Sequence, residues 1–236
     1  TLASIYCGFY AITLAMDHPG PQQLYRAALA VFFAVFFDAA DGRVARLTNT
    51  QSAFGVQLDS LADLVSFGVA PAVLVYKWGL ADLGKTGSAA AFVFVACGAL
   101  RLARFNVLAS RANTSMKFFI GLPIPLAAGV LISLVMFHQR AFASPVAAPW
   151  HIFILVLVLS YLMISNVRYR TFKDLHVSLK SLTIIFTVVL VFTVVAAQIR
   201  PTFALLAFFS GYLVFGPLEA IIFFHKTRAH SAGQVS

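Results

Sequence analysis

Long apolar segments separated by short polar connections dominate the chain. A bilayer core about 30 Å thick requires roughly 20 apolar helical residues. Eight segments approach that length, at about residues 1–16, 24–46, 55–78, 86–108, 118–138, 148–167, 181–199 and 203–225. The pattern predicts an all-α fold, a polytopic membrane helical bundle with about eight transmembrane helices. Thr1 already lies inside the first segment with no basic stretch before it, so we expect a truncated first helix and no cleavable signal peptide.

The composition supports a membrane protein. Hydrophobic residues make up 61% of the chain and charged residues 11%, whereas soluble domains are about 45–50% apolar and about 25% charged. The net charge is +9, but the basic residues are dispersed between apolar segments instead of forming a block, so no nucleic-acid partner is expected. Cys7 and Cys97 lie far apart in apolar runs and predict neither a disulfide framework nor a zinc site.

The basic residues also predict an orientation. Cytoplasmic loops of membrane proteins carry an excess of Lys and Arg. If the connection between the second and third segments faces the cytoplasm, 12 of the 17 Lys and Arg residues lie on that side. We therefore predict a multi-pass protein of the cell (inner) membrane whose polar active-site cavity faces the cytoplasm.

Four of the eight acidic residues are concentrated around one connection, at the end of the second segment and the start of the third: Asp38, Asp41, Asp59 and Asp63. Residues three or four apart share a helix face, so each pair of carboxylates lies on one face of its helix. A hairpin through residues 47–54 would bring the two faces together. Gly55 begins the stripe that continues with Asp59 and Asp63, and a glycine there allows close approach of backbone or ligand.

Two interpretations of these charges compete. In the first, Arg43 and Arg46 neutralise two aspartates in a salt-bridge cluster that joins the helices. In the second, the four carboxylates hold two divalent cations, which prefer hard oxygen ligands, and the arginines hold an anionic substrate such as a phosphate. A cation transporter and a purely structural protein are alternatives from other functional classes.

The spacing of the motif resembles a known family. Asp38-x2-Asp41-Gly42-x2-Ala45-Arg46-x8-Gly55-x3-Asp59-x3-Asp63 matches the signature of the CDP-alcohol phosphotransferases. The resemblance implies metal-dependent attack of an alcohol on the pyrophosphate of a CDP-linked substrate, with release of CMP, in a homodimer. It implies that the four aspartates bind two divalent cations, Mg²⁺ or Mn²⁺ with Ca²⁺ as an alternative, and that Asp63 is also the catalytic base. The residues implied to hold the CDP moiety are Asp41, Gly42, Ala45, Arg46 and Gly55.

Segments that overlap or follow the motif narrow the choice of acceptor alcohol. Residues 59–71, 101–107 and 121–125 are similar to those of bacterial and archaeal phosphatidylserine synthases, and the likeness extends over about residues 1–175. It implies that CDP-diacylglycerol and L-serine are the substrates and that phosphatidylserine is the product. Family members that use glycerol phosphate or inositol phosphate usually have a basic residue where this chain has Leu64. The alternative acceptors are glycerol phosphate, inositol phosphate and choline.

The fourth segment ends in two arginines on one helix face, Arg101 and Arg104. A guanidinium suits the carboxylate of serine or a lipid phosphate, and Arg43 is a further candidate for the same role. Alternatively, the arginines anchor the helix in lipid headgroups. We expect residues 1–175 to form the catalytic core with about six transmembrane helices, and residues 176–236 to add two more helices and a short cytoplasmic tail.

Overall fold

Helices form nearly all of the described part of the chain. The computed structural model describes residues 1–16, 20–48, 52–111, 118–142, 144, 146–165, 167–170, 202, 205–206 and 208–211. Its elements in chain order are α1 (Leu2–Met16), α2 (Pro21–Leu47), α3 (Ala53–Asp63), a π-helical segment (Leu64–Val69), α4 (Ala70–Val75), a second π-helical segment (Tyr76–Leu80), a 3₁₀ turn (Ala81–Leu83), α5 (Gly84–Arg111), β1 (Phe118–Ile120), α6 (Ile124–Ala141), α7 (Pro149–Ile164) and β2 (Arg168–Arg170).

Within the described residues, two helical stretches are long and apolar enough to cross a membrane, Ala53–Ala109 and Ile124–Ala141. The apolar helices α1 and α7 are shorter than that criterion requires. The first six of the eight predicted segments coincide with helices. The predicted segment 181–199 lies outside the described residues, as does most of 203–225. The number of eight spans therefore stays a prediction.

A chain reversal at Gly84 divides the longer stretch. Gly84 has φ +57°, a left-handed conformation that glycine adopts without steric cost. After it, α5 runs back against the π-helical segment Leu64–Val69 and α4. The reversal gives the third and fourth predicted segments an antiparallel arrangement.

A short antiparallel ribbon departs from the all-α prediction. Phe118 pairs with Arg170 and Ile120 with Arg168, so the prediction of helix from residue 118 is wrong for these residues. Gly121 then turns the chain with φ +80°, and α6 begins at Ile124 just after Pro123. Proline suits the start of a helix because the first helical N–H groups have no intrahelical acceptor.

Small residues allow α1 to lie close to its neighbours. The buried positions of α1 are Ser4, Gly8, Ala11 and Ala15, and the helix packs on α2 and on the π-helical segment. Small residues let helix backbones approach closely in membrane proteins. The Ser66 hydroxyl in the π-helical segment donates to the Ser4 carbonyl at 2.9 Å, so this contact is polar as well as tight.

Candidate active site

The four predicted aspartates converge where α2 and α3 meet. One carboxylate oxygen from each of Asp38, Asp41 and Asp59 lies within 4.8 Å of the other two. Asp63, one turn beyond Asp59, is within hydrogen-bonding reach of the Asp38 carboxyl group. The helical hairpin therefore assembles the carboxylates in space as their spacing predicts.

Local capping defines this hairpin. Helix α2 ends at Leu47, and the Thr48 backbone N–H donates to the Val44 carbonyl at 2.9 Å. Helix α3 begins after Ser52, whose hydroxyl accepts from the Gly55 N–H at 3.0 Å. Serine is a preferred N-cap because its oxygen satisfies one of the free N–H groups of the first turn. Our sequence interpretation did not assign Ser52 a role, although its position just before an apolar helix is a recognisable N-cap signal.

Several oxygens of the cluster have unmet bonding capacity. Asp41 is 27% exposed. Among the described residues, Asp41 Oδ1 and Asp63 Oδ1 are buried and accept no hydrogen bond. A buried acceptor without a partner is costly, and a cation bound among these carboxylates would provide one. A donor set made only of carboxylate oxygens fits Mg²⁺, Mn²⁺ or Ca²⁺.

The salt-bridge interpretation finds no support at Arg43. Arg43 is exposed, and within the described part of the chain it forms no ion pair. The side chains of Ala45 and Arg46 lie outside the described residues, so their predicted contact with CDP stays a prediction.

The two motif glycines lie beside the carboxylates. Gly42 follows Asp41 in α2 and is half-buried. A methyl group built at Gly55 would approach the Ser52 hydroxyl to 3.2 Å and, outside its own helix backbone, no other described atom within 4 Å. Among the described residues, only the Ser52 hydroxyl that caps α3 would have to shift to make room for a side chain at position 55.

The two arginines of α5 have different surroundings. Arg101 is only 7% exposed, and its charge interacts with that of Asp63. Its guanidinium carbon lies 5.9 Å from the centroid of the Phe105 ring, within range of a cation–π interaction. Arg104 instead donates to the carbonyls of Ile164 at 3.2 Å and Ser165 at 3.1 Å, at the end of α7.

Asn106 makes a further contact with the site that we did not predict from the sequence. Its side-chain amide donates to the Ser60 hydroxyl at 2.8 Å. Ser60 lies between Asp59 and Asp63 on α3, so the bond ties the carboxylate-bearing turn to α5. An asparagine in an apolar helix was the available signal, but its partner is 46 positions away.

The chain is similar in sequence to known proteins. The CDP-alcohol phosphatidyltransferase family pattern matches residues 1–195. A CDP-diacylglycerol–serine O-phosphatidyltransferase of Helicobacter pylori (strain J99) is 38% identical over 236 residues, which cover 97% of this chain and 94% of that protein. A protein of the same description from Bacillus subtilis (strain 168) is 37% identical over 173 residues, covering 73% of this chain and 88% of that one.

An archaeal relative extends the comparison. The archaetidylserine synthase of Methanothermobacter thermautotrophicus is 38% identical over 164 residues, covering 69% of this chain and 64% of that protein. This chain belongs to the CDP-alcohol phosphatidyltransferase family.

Proposed function

We propose that this chain transfers the phosphatidyl group of CDP-diacylglycerol to the hydroxyl of L-serine, forming phosphatidylserine and CMP. The observation that carries the proposal is the identity of 38% along almost the whole chain to a protein described as a CDP-diacylglycerol–serine O-phosphatidyltransferase. A second relative with that description, at 37% identity, supports the same acceptor. The converging carboxylates support phosphoryl chemistry at the hairpin.

The carboxylates are proposed to hold two divalent cations, Mg²⁺ or Mn²⁺, with Ca²⁺ as the alternative. Asp38, Asp41, Asp59 and Asp63 would supply the ligands, because they converge and two of their buried oxygens accept no hydrogen bond from the described residues. When bound, the cations would neutralise charge on the pyrophosphate and on the departing phosphate of CMP.

Asp63 is proposed to act as the general base. The serine hydroxyl oxygen forms a bond to the phosphorus that carries the diacylglycerol, and the bond from that phosphorus to the CMP oxygen breaks. The hydroxyl proton passes to the Asp63 carboxylate. A positioned carboxylate is suited to this transfer, and the Oδ1 atom of Asp63 is a buried acceptor.

The CDP moiety is proposed to lie along the hairpin. Asp41 belongs to the carboxylate cluster, Gly42 follows it in α2, and Gly55 lies one turn before Asp59 in α3. Ala45 and Arg46 follow one turn further along α2. Substrate contact for Arg43 is compatible with its exposed position.

The membrane arrangement is a further part of the proposal. The family is embedded in membranes, and two apolar stretches support this for the present chain. We propose about eight spans in the inner membrane, with a catalytic core in residues 1–175, two more spans in residues 176–236, a site open to the cytoplasm, and a homodimer. An Arg140→Cys variant should then react with thiol reagents from the outer side, and reaction only from the cytoplasm would contradict this orientation.

The reaction is tested by CMP release. The purified protein is mixed with CDP-diacylglycerol in detergent micelles and either Mg²⁺ or Mn²⁺. L-serine, glycerol phosphate, inositol phosphate and choline are then offered separately. We expect CMP and phosphatidylserine with L-serine. Release of CMP with another acceptor but not with serine would show that serine is not the acceptor of this enzyme. If no acceptor gives CMP, the proposed transferase activity is refuted.

A further inference from the structure

The burial of Arg101 leaves part of its guanidinium without a partner. The residue is 7% exposed, and its Nε–H has no hydrogen-bond acceptor among the described residues. A guanidinium carries five N–H donors in a planar fork, and leaving a buried charged donor unpaired is costly. Arg101 therefore has one buried donor without a partner among the described residues, on a fork whose shape suits an anion with two oxygens.

The position of Arg101 places such an anion beside the proposed base. The charges of Arg101 and Asp63 interact, and the positive charge of Arg104 is also close enough to affect Arg101. An anion bound by Arg101 would therefore lie near Asp63 and would relieve the repulsion between two cations. The Phe105 ring centroid lies 5.9 Å from the guanidinium carbon, at the outer limit of a cation–π interaction.

Arg104 has a different function in the fold. Its two terminal nitrogens donate to the carbonyls of Ile164 and Ser165. Carbonyls at the end of a helix lack intrahelical donors and carry partial negative charge. Arg104 thus holds the end of α7 against α5, although the sequence pattern groups it with Arg101.

We infer that Arg101 binds the carboxylate of the amino-acid acceptor, while Arg104 positions α7 and does not select the acceptor. The inference rests on the proposed function, because it concerns the acceptor of that reaction. Two carbon atoms separate the hydroxyl oxygen of serine from its carboxylate. A hydroxyl that gives its proton to Asp63 therefore places the carboxylate close to Asp63, where Arg101 lies. A bidentate contact between arginine and a carboxylate would favour serine over an uncharged analogue.

The test compares L-serine with L-serinamide, which keeps the hydroxyl and ammonium groups but lacks the carboxylate. CMP release is measured for the wild type, Arg101→Gln and Arg104→Gln. In Arg101→Gln we expect kcat/KM for serine to fall by about 10- to 100-fold, the range for loss of a hydrogen bond to a charged group. The value for serinamide should fall by a much smaller factor, since removal of the Arg101 charge near Asp63 affects both acceptors but the loss of the carboxylate contact affects serine alone. In Arg104→Gln both acceptors should lose activity by the same factor.

The ratio of the two acceptors is measured in one preparation, so it does not depend on how much of a variant is folded. An unchanged ratio in Arg101→Gln, or a selective loss in Arg104→Gln, would overturn the inference. Equal losses for both acceptors with a raised KM for CDP-diacylglycerol would assign Arg101 to the donor phosphate instead and would also overturn it. If Arg101→Gln releases no CMP with either acceptor, the ratio of kcat/KM for serine to that for serinamide is measured in Arg101→Lys. A loss confined to serine in that variant supports the inference, and an equal loss for both acceptors overturns it. Failure of the wild type with every acceptor would refute the proposed function itself.

Discussion

Replacing Gly8 with alanine tests the packing of α1 against the segment that follows Asp63. A methyl group at Gly8 would lie 2.8 Å from the Ser66 Cα and 3.0 Å from the Ser66 hydroxyl. Because the nearer atom belongs to the backbone, no change of side-chain rotamer relieves the clash. The two helical segments must separate, and the 2.9 Å hydrogen bond from Ser66 to the Ser4 carbonyl must lengthen.

Three terms set the size of the effect. Alanine gains about 1 kcal/mol over glycine in a helix, overpacking costs about 1–3 kcal/mol, and the lost hydrogen bond costs about 1 kcal/mol. The net destabilisation is about 1–3 kcal/mol. For a chain of this length each kcal/mol lowers Tm by roughly 2–4 °C, so we expect Tm to fall by roughly 2–12 °C. The kcat should also fall, since Ser66 lies within one turn of Asp63.

Thermal unfolding in detergent, followed by the fluorescence of Trp78 and Trp150, measures the change. Gly211→Ala is the matched control, because Gly211 is exposed in a helical segment and no atom of the described residues lies within 4 Å of the added methyl group. Its Tm should equal or exceed that of the wild type. If Gly8→Ala also matches or exceeds the wild type, α1 does not pack on the π-helical segment as described and the reasoning is refuted.

Three further predictions concern the site. Mn²⁺ should raise the Tm of the wild type, because a cation that binds the folded state stabilises it. It should have little effect on the Tm of Asp59→Asn, and this variant should release no CMP. An equal rise in Tm in both proteins would exclude Asp59 as a ligand. Asn106→Leu removes the 2.8 Å bond to Ser60 and should lower kcat while the KM for serine stays constant, with partial recovery in Asn106→Gln; an unchanged kcat would contradict a positioning role. Ser52→Ala should cost about 1 kcal/mol through loss of the N-cap, whereas Ser52→Asn should retain the stability in the same unfolding assay, and equal stability of both variants would contradict the cap.

The sequence predicts those features of the site that depend on local spacing. Asp38 and Asp41 share a helix face because they are three positions apart, and Asp59 and Asp63 share one because they are four apart. The short connection keeps the two helices adjacent, and in the structure the carboxylates of Asp38, Asp41 and Asp59 converge as the spacing predicts. The helices within the first six predicted segments likewise follow from the length of the apolar runs, apart from the strand at Phe118–Ile120.

Features that depend on contacts between distant segments could not be predicted in this way. Arg101 and Arg104 look equivalent in sequence. They differ because the carboxyl end of α7 lies beside Arg104, which donates to its carbonyls, whereas Arg101 is buried and is the candidate for binding an anion. The bond between Asn106 and Ser60 requires the chain reversal at Gly84. Helical periodicity also does not distinguish α-helical from π-helical turns, because both present apolar residues on all sides in a membrane-like sequence.

The π-helical segment Leu64–Val69 lies between two functional surfaces of one continuous helix and sets the angle between them around the helix axis. A π-turn contains one residue more than the α-turn it replaces, and one residue corresponds to a rotation of about 100° in an α-helix. The carboxylate surface of α3 and the surface of Ser66 that meets α1 can thus each face its own neighbour. Deleting a single residue within this segment would turn one surface away from its partner, so residue insertions and deletions here should be far less tolerated than substitutions of similar volume.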